Sequence, residues 1–417
     1  MTRFSKFGEH FQAATGTRQL MDDLGEVLNS GQNILNLGGG NPGAIPEIQA
    51  LLRDRMRHLL DTGVFDEIVG KYDGPQGHQP FLHALAALLN RRFGWSLSHE
   101  NIVTTAGSQA SFFMLFNMLA GPNAMGGSRH ILLPLTPEYI GYADVGIDPK
   151  IVRSVKPTLN ILDKHTFKYQ IDFDQLTLGH DVGAVCVSRP TNPTGNVITD
   201  VELSRLLEIT ARHDTPLIID NAYGLPFPNI VFADATPMFD SHVILCMSLS
   251  KLGLPGLRTG IIIAAPEIIQ TIISMNAVST LANSALGASL VCDLIDSGEI
   301  TTLCERTIKP FYRRKAEQAQ AWCHKSFAGL DYFLHTTEGA IFIWVWFPQL
   351  PISDLELYER LKKRDVLVLA GRHFFPGLDE AWDHTEQCLR ISYAQDAQSV
   401  RRGIAIIGEE VGRAFNR

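Results

Sequence analysis

The sequence has no long apolar run, no extended basic stretch, no CxxC pair, no internal repeat and no low-complexity linker. Each absence removes a class of function. The longest apolar stretch, Ile341 to Phe347, falls well short of the roughly 20 residues that a bilayer-spanning helix needs. The opening segment MTRFSKFGEHFQAATGTRQL lacks the apolar core and cleavage-site pattern of a secretory signal, so a cytoplasmic location is expected. Lysine and arginine total 36 against 44 aspartates and glutamates, a net charge of −8, and no basic run offers a nucleic-acid surface. The cysteines Cys186, Cys246, Cys292, Cys304, Cys323 and Cys388 are scattered, which fits a reducing compartment better than a disulfide framework or a zinc site. The histidines show no HExxH spacing, and no metal site is expected.

What is present is an ordinary globular composition, 45% hydrophobic and 19% charged, in a chain of 417 residues that is too long for one small core. From about residue 100 to 265, apolar runs alternate with helical patterns. HILLP at 130–134, IVRSV at 151–155, AVCVS at 184–188, PLIID at 216–220, VILCMS at 243–248 and GIIIA at 260–264 read as strands. Thr199 and Glu202 form a capping-box pattern ahead of Leu203, Leu206, Leu207 and Thr210 at helical spacing. The alternation predicts an α/β fold with a mainly parallel sheet covered by helices. The C-terminal part changes character: GAIFIWVWF at 339–347, DVLVLA at 365–370 and CLRISYA at 388–394 predict a smaller α+β domain. The expected division is an N-terminal segment 1–45 packing with the small domain, a large domain 46–305 and a small domain 306–417.

Several segments carry chemistry. In SLSKLGLPGLRTG, Lys251 follows a strand and can condense with an aldehyde cofactor, while the loop can bring Arg258 onto a phosphate. The plain alternative is a surface Lys and Arg flanking a turn. In IIDNAYG, Asp220 ends a strand, where ligands of open α/β sheets bind, and can keep a ring nitrogen protonated; Tyr223 can bond a ring oxygen. Asp220 as a simple loop cap is the competing reading. Asn192 in SRPTNPTG can donate to a ring hydroxyl, or the segment is only a turn. In TTAGSQASFFMLF, Gly107, Ser108 and Gln109 open a helix whose free N–H groups suit a phosphate, though ordinary N-capping by Ser108 is commoner. Tyr139 in TPEYIGY can stack on a planar ring or simply pack. Arg390 sits inside the apolar strand CLRISYA, where an unpaired charge is costly, so it needs a carboxylate partner from a substrate or from the protein. The run Gly38–Gly43 matches GxGxxG literally, but Pro42 stands where a helix would have to offer N–H groups, which weighs against a dinucleotide site.

Taken in order, GSQ, PEY, TNPTG, DNAY, SLSK, GLR and LRISY resemble the fold type I pyridoxal-phosphate enzymes, in particular the class I/II aminotransferases, over roughly residues 37 to 394. The resemblance implies pyridoxal 5′-phosphate as cofactor and amino acids and 2-oxo acids as substrates. It makes Lys251 the Schiff-base lysine and proton carrier, with Asp220 pairing the pyridine nitrogen and Tyr223 and Asn192 bonding the ring oxygen. Ser108, Gln109, Ser248 and Arg258 would hold the phosphate, and Tyr139 would stack on the ring. Arg390 would bind the substrate carboxylate, with Gly40 approaching the same group. Tyr72, in YDGPQG, resembles a tyrosine that reaches the neighbouring subunit's phosphate and implies a homodimer. The Lys251–Arg258 spacing is one residue shorter than in many members of the class, which requires a tighter loop. Two other functions are compatible with the frame: a pyridoxal-phosphate lyase, which would need no 2-oxo acid acceptor, and a ligand-sensing regulator, although no basic or helix-turn-helix segment precedes residue 37. The glycines 38–40 and the stretch from Gly339 suggest a small apolar side-chain pocket. Arg372 is the one further cation near the matched segments that could receive a second carboxylate.

Overall fold

The computed structural model describes residues 3–12, 25, 34–124 and 126–416; of the expected N-terminal segment, residues 1–2, 13–24 and 26–33 lie outside the described residues. The large sheet runs, in spatial order, Ile102–Thr105, Gly260–Ile263, Val243–Ser248, Leu217–Asp220, Val182–Ser188, Ser128–Leu133 and Gly121–Pro122, with Val152–Ser154 paired on Ser128–Leu133. The central pairs are parallel. Gly260–Ile263 runs antiparallel to both of its neighbours and the edge strand Gly121–Pro122 antiparallel to Ser128–Leu133, so the sheet is mainly parallel with two reversed strands.

Every residue of Val182–Ser188, Leu217–Asp220, Val243–Ser248 and Gly260–Ile263 is buried, as expected when helices cover both faces. Strand alternation sends Cys186, Ile218, Ile244 and Ile262 into one core with Phe112 of the helix Ser108–Leu119 and with Ile269 and Ile272 of Pro266–Ser279. Val185, Leu217, Ile219, Val243 and Leu245 enter the other core with Leu203 and Leu206 of the helix Asp200–Arg212 and Leu85 of Gln79–Phe93. The capping box forms: Thr199 Oγ1 accepts from Glu202 N–H at 3.2 Å, and Thr199 N–H donates to Glu202 Oε2 at 2.8 Å.

A second, six-stranded sheet runs Leu369–Ala370, Cys388–Ser392, Phe342–Trp346, Phe333–His335, Thr166–Gln170 and Thr158–Ile161. Its last two strands come from the middle of the chain, and sequence reading did not detect them. Both carry polar residues and are only partly buried, so they lack the apolar runs of the large sheet. Ile102–Thr105 and Phe333–His335 also escaped, being only four and three residues long. Leu35–Asn36 pairs in parallel with Val366–Leu367. The chain then continues past Leu37, whose carbonyl accepts from Ser392 N–H at 2.7 Å. This tie delivers the glycine loop 38–40 to the crevice between the sheets; helix begins only at Pro46, so the glycines open no helix.

The loop after Val182–Ser188 is fixed to the second sheet from several sides. Glu338 accepts from Lys168 Nζ at 2.6 Å and from Val197 N–H at 2.9 Å. Gly195 has φ +73°, and a Cβ there would lie 2.6 Å from the Gly339 carbonyl oxygen. The close approach and the left-handed backbone both require glycine. Gly195→Ala is therefore expected to destabilise the protein by about 1–3 kcal/mol, read as a lower midpoint in urea or thermal unfolding; an unchanged midpoint would show that the loop can yield there.

Candidate active site

The carboxyl ends of three adjacent parallel strands converge. Asp220 ends Leu217–Asp220, Ser188 ends Val182–Ser188 and pairs with it in register, and Ser248 ends Val243–Ser248. Loops leaving these ends and the N-terminus of the helix Ser108–Leu119 enclose one cavity. It is lined by Ser108, Gln109, Tyr139, Asn192, Asp220, Tyr223, Ser248, Lys251 and Arg258, together with Phe112, Pro190, Ala222 and Ser250. Of the residues singled out in the sequence as cofactor-binding, Gly107 and Tyr72 are outside this lining. Gly107 stands just behind it at φ +93°, where a Cβ would run into the Arg258 guanidinium. Tyr72 is 85% exposed on the single chain and does not reach the cavity of its own chain.

Lys251 lies in a 3₁₀ turn directly after Val243–Ser248. Its Nζ donates to the Gly40 carbonyl at 2.6 Å and stands 5.5 Å from the centre of the Tyr223 ring. Burial, with Arg390 adding to it, lowers the amine to about 8, against a smaller opposing pull from Asp220. The short Lys251–Arg258 loop closes through a second 3₁₀ turn, Pro255–Leu257, which leaves Arg258 in a left-handed conformation at φ +48°. Arg258 Nη1 donates to the Pro255 carbonyl at 3.2 Å.

Asp220 is buried. Its Oδ2 accepts from the Tyr142 hydroxyl at 2.8 Å and its Oδ1 from Ala222 N–H at 3.0 Å. Burial raises its carboxyl to about 6, opposed by these two donors and by the Lys251 charge. Tyr223 is buried with its phenol pushed well up, chiefly by burial. Among the described residues no bond to the Tyr223 hydroxyl is formed. Tyr139 meets Tyr142 edge to face at 5.4 Å. At the helix N-terminus, Gln109 Nε2 donates to the Gly141 carbonyl at 3.0 Å and its Oε1 has no partner among the described residues, while its backbone N–H is left to face a ligand. Ser248 Oγ accepts from Ser250 N–H at 3.0 Å.

Arg390 is the central anomaly. It is buried in Cys388–Ser392 yet, among the described residues, has no carboxylate partner. Nη1 donates to Asn192 Oδ1 at 2.7 Å, Nη2 donates to the Gly38 carbonyl at 2.5 Å, and Nε has no partner. The guanidinium lies 4.0 Å from the centre of the Phe342 ring and 5.2 Å from that of Phe374. Burial lowers even this group, to about 10. Arg372 is engaged elsewhere: its Nε donates to buried Asp354 Oδ1 at 2.6 Å, and its Nη2 stands 3.1 Å from Glu386.

Sequence reading missed Ser250, Ser188, Tyr142 and Glu138. Ser250 sits one residue from Lys251 and was legible there. The others lie behind Asp220, where only the polar residues of PEYIGY and CVSRP, set between apolar neighbours, hinted at burial.

A cofactor test follows from these observations. A free amine, a buried carboxylate, an unbonded phenol, helix-terminal N–H groups beside an arginine, and an orphaned guanidinium nitrogen match the aldehyde, ring nitrogen, ring oxygen and phosphate of a pyridoxal phosphate carrying an amino acid. Fold and site thus define a pyridoxal-phosphate enzyme of the doubly wound kind, and the chain belongs to the class I and II aminotransferases, whose family model matches residues 32–407. Pyridoxal phosphate is its cofactor and transamination its chemistry. Among proteins of known name, the chain is 45% identical over 412 residues to the valine–pyruvate aminotransferase of Escherichia coli (strain K12), covering 99% of each. It also superposes on the valine–pyruvate aminotransferase of Salmonella typhimurium LT2 with a TM-score of 0.89 and 44% identity, covering 96% of this chain and 100% of that one. An α-aminoadipate aminotransferase from Thermus thermophilus, complexed with N-(5′-phosphopyridoxyl)-L-leucine, shares the fold at 22% identity and a TM-score of 0.77, covering 99% of this chain and 98% of that one.

The lowered amine gives a pH prediction. Below about 8 Lys251 is protonated and unreactive; above it the free amine prevails. In cofactor-free protein, Lys251 is expected to react with trinitrobenzenesulfonate with a midpoint near 8, whereas exposed lysines titrate near ~10.4. Peptide mapping that gave Lys251 the same midpoint as the others would refute the assignment.

Proposed function

We propose that the protein exchanges the amino group between L-valine and pyruvate, giving 3-methyl-2-oxobutanoate and L-alanine in a ping-pong cycle. The observation that carries this reading is the buried Arg390 guanidinium, which has no carboxylate partner among the described residues, while Arg372 is already neutralised. One α-carboxylate can be received; the cations that line the crevice, Lys251 and Arg258, are taken up by the cofactor on this reading, and among the described residues its lining offers no further one for a side-chain carboxylate. The relatives named above support the choice of substrates.

When bound, pyridoxal phosphate supplies an aldehyde for the amino group and a protonated ring that draws electrons from the substrate's Cα. Lys251 would anchor it and would carry the proton at Cα; an amine near 8 has a useful basic fraction at neutral pH. Asp220, as a carboxylate, keeps the ring nitrogen protonated. Tyr223 and Asn192 would bond the ring oxygen, and Tyr139 would stack on the ring. The N–H groups of Ser108 and Gln109, with Ser248, Ser250 and Arg258, hold the phosphate, and Gly107 gives Arg258 room. Gly40 lies at the carboxylate end, where its carbonyl already meets Lys251.

The exposed Tyr72 supports a homodimer in which each chain completes its partner's phosphate site. Among the described residues no helix is long and apolar enough to cross a membrane, and a cytoplasmic enzyme is the location we favour. On the same reading residues 46–305 form the cofactor domain and 306–417 the smaller one, with the N-terminal segment and the strand pair 158–170 joining the latter.

Asp220→Asn is expected to lower kcat by about 100-fold or more while the fold persists, because stabilising developing charge is usually the largest catalytic contribution. Near-normal turnover would overturn the role given to Asp220. A donor panel against pyruvate tests the substrate reading. Valine, alanine and 2-aminobutyrate should differ only modestly, since one methylene in an apolar pocket is worth about 1–3 kcal/mol. A higher kcat/KM for aspartate or glutamate would defeat the proposal.

A further inference from the structure

Asp220 is one end of a buried chain that holds a second carboxyl group. Glu138 Oε2 stands 2.5 Å from Ser188 Oγ, Ser188 Oγ stands 3.1 Å from Tyr142 Oη, and Tyr142 Oη stands 2.8 Å from Asp220 Oδ2. Glu138, Ser188, Tyr142 and Asp220 are all buried. The Ser188 N–H donates to Glu138 Oε1 at 2.7 Å, which fixes the carboxyl plane, and the Glu138 N–H donates to the Phe374 carbonyl at 2.8 Å.

Three oxygen–oxygen contacts need three protons. If both carboxyl groups are ionised, only the Ser188 and Tyr142 hydroxyls bring protons, and one contact is left between two lone pairs. If one carboxyl group is protonated, every contact is filled and all the donors point the same way, toward the group that is ionised. The charge belongs on Asp220. It faces the cavity, accepts from Ala222 N–H and feels the Lys251 ammonium. Glu138 accepts from the N–H groups of Ser188 at 2.7 Å and Tyr139 at 3.2 Å, but it is shut away from the cavity and has no cation to favour its charge. The titratable groups around it are Asp220, Tyr142, Tyr139 and Cys186, and among the described residues no Lys, Arg or His stands within ion-pair distance of it.

We propose that Glu138 is a positioning residue that stays protonated and aligns Ser188 and Tyr142 as donors toward Asp220, so that the four-residue chain holds a single negative charge on Asp220. This inference rests on the role given to Asp220 above. Burial, offset in part by the Ser188 donors and reinforced by Asp220, raises the Glu138 carboxyl to about 8, in keeping with a neutral acid at physiological pH.

The test uses the holoenzyme and three substitutions. Glu138→Gln keeps a donor toward Ser188 Oγ and an acceptor for Ser188 N–H, losing only the longer 3.2 Å bond from Tyr139 N–H, and so imitates the protonated acid. Glu138→Leu removes both, and Tyr142→Phe cuts the chain beside Asp220. Glu138→Gln should lose no more than about threefold in kcat, while Glu138→Leu and Tyr142→Phe should lose about tenfold or more with KM little changed. Two readouts do not involve turnover. The infrared difference between wild type and Glu138→Gln should contain the carbonyl stretch of a protonated carboxylic acid. The melting temperatures should also diverge with pH. Unfolded Glu138 ionises above ~4.3, but in the folded protein it keeps its proton up to about 8, so wild type loses stability as pH rises through that window and Glu138→Gln escapes the loss. The melting temperature of Glu138→Gln minus that of wild type should therefore climb across the window and level off above it. A flat difference, a missing acid band, or a kcat for Glu138→Gln as low as that of Tyr142→Phe would each overturn the proposal. Should Glu138→Leu not fold, Tyr142→Phe carries the comparison alone. Near-normal turnover in Asp220→Asn would instead defeat the role of Asp220, leaving the infrared and melting results to judge Glu138 separately.

Discussion

A guanidinium kept away from water with no opposite charge beside it among the described residues is the constraint around which this molecule is arranged. Desolvating an ion in a protein interior costs several kcal/mol, and Arg390 offsets that cost with neutral groups only: two carbonyl-type oxygens and the faces of two phenylalanines. Each contributor comes from a different stretch of chain. Gly38 arrives on the N-terminal strand pairing, Asn192 on the loop after Val182–Ser188, Phe342 on the neighbouring strand and Phe374 on a short 3₁₀ turn. The arginine therefore sits where the two sheets and the N-terminal segment meet, and the crevice exists in the right shape only when all of these are docked.

The same balance governs the other polar groups of the cavity. Burial raises Asp220 and lowers Lys251, so each is pushed toward its neutral form, and hydrogen-bond donors or the opposite charge push back. Neither residue is locked in an ion pair with the other. The amine is left near neutrality, where it can both release and accept a proton, and the carboxylate is free to face a ring nitrogen. Preorganised dipoles act strongly here because little water intervenes.

Much of this was legible in the linear sequence, for identifiable reasons. Strands buried on both faces announce themselves as apolar runs, and VILCMS was read to the residue. The reactive residues stand at strand ends beside turn formers, so Lys251, Asp220, Asn192 and Ser108 could be named from local context, and the structure brings them around one cavity. What stayed hidden depends on distant contacts. The strand Thr166–Gln170 is half-polar because one side is open, Thr158–Ile161 is exposed along most of its length, and nothing local shows which sheet they join. Glu138 looked like one acidic residue in a loop, and its burial follows from the Phe374 carbonyl and Ser188, both remote in sequence. The engagement of Arg372 with Asp354 spans 18 residues and was equally invisible.

That borrowed strand pair has a bearing on how the molecule can be taken apart. Thr166–Gln170 pairs in parallel with Phe333–His335 and forms an antiparallel pair with Thr158–Ile161, although in the chain both strands fall between strands of the large sheet. The smaller sheet is therefore stitched from three separate lengths of polypeptide once Leu35–Asn36, through Val366–Leu367, is included beside it. A cut near residue 305 would yield a C-terminal fragment with the Phe333–His335 edge laid open, an unpaired row of amides suited to associating with other chains. Ribosomal synthesis meets the same difficulty in reverse: residues 158–170 emerge long before the strands they pair with, so this sheet closes only after nearly the whole chain has been made.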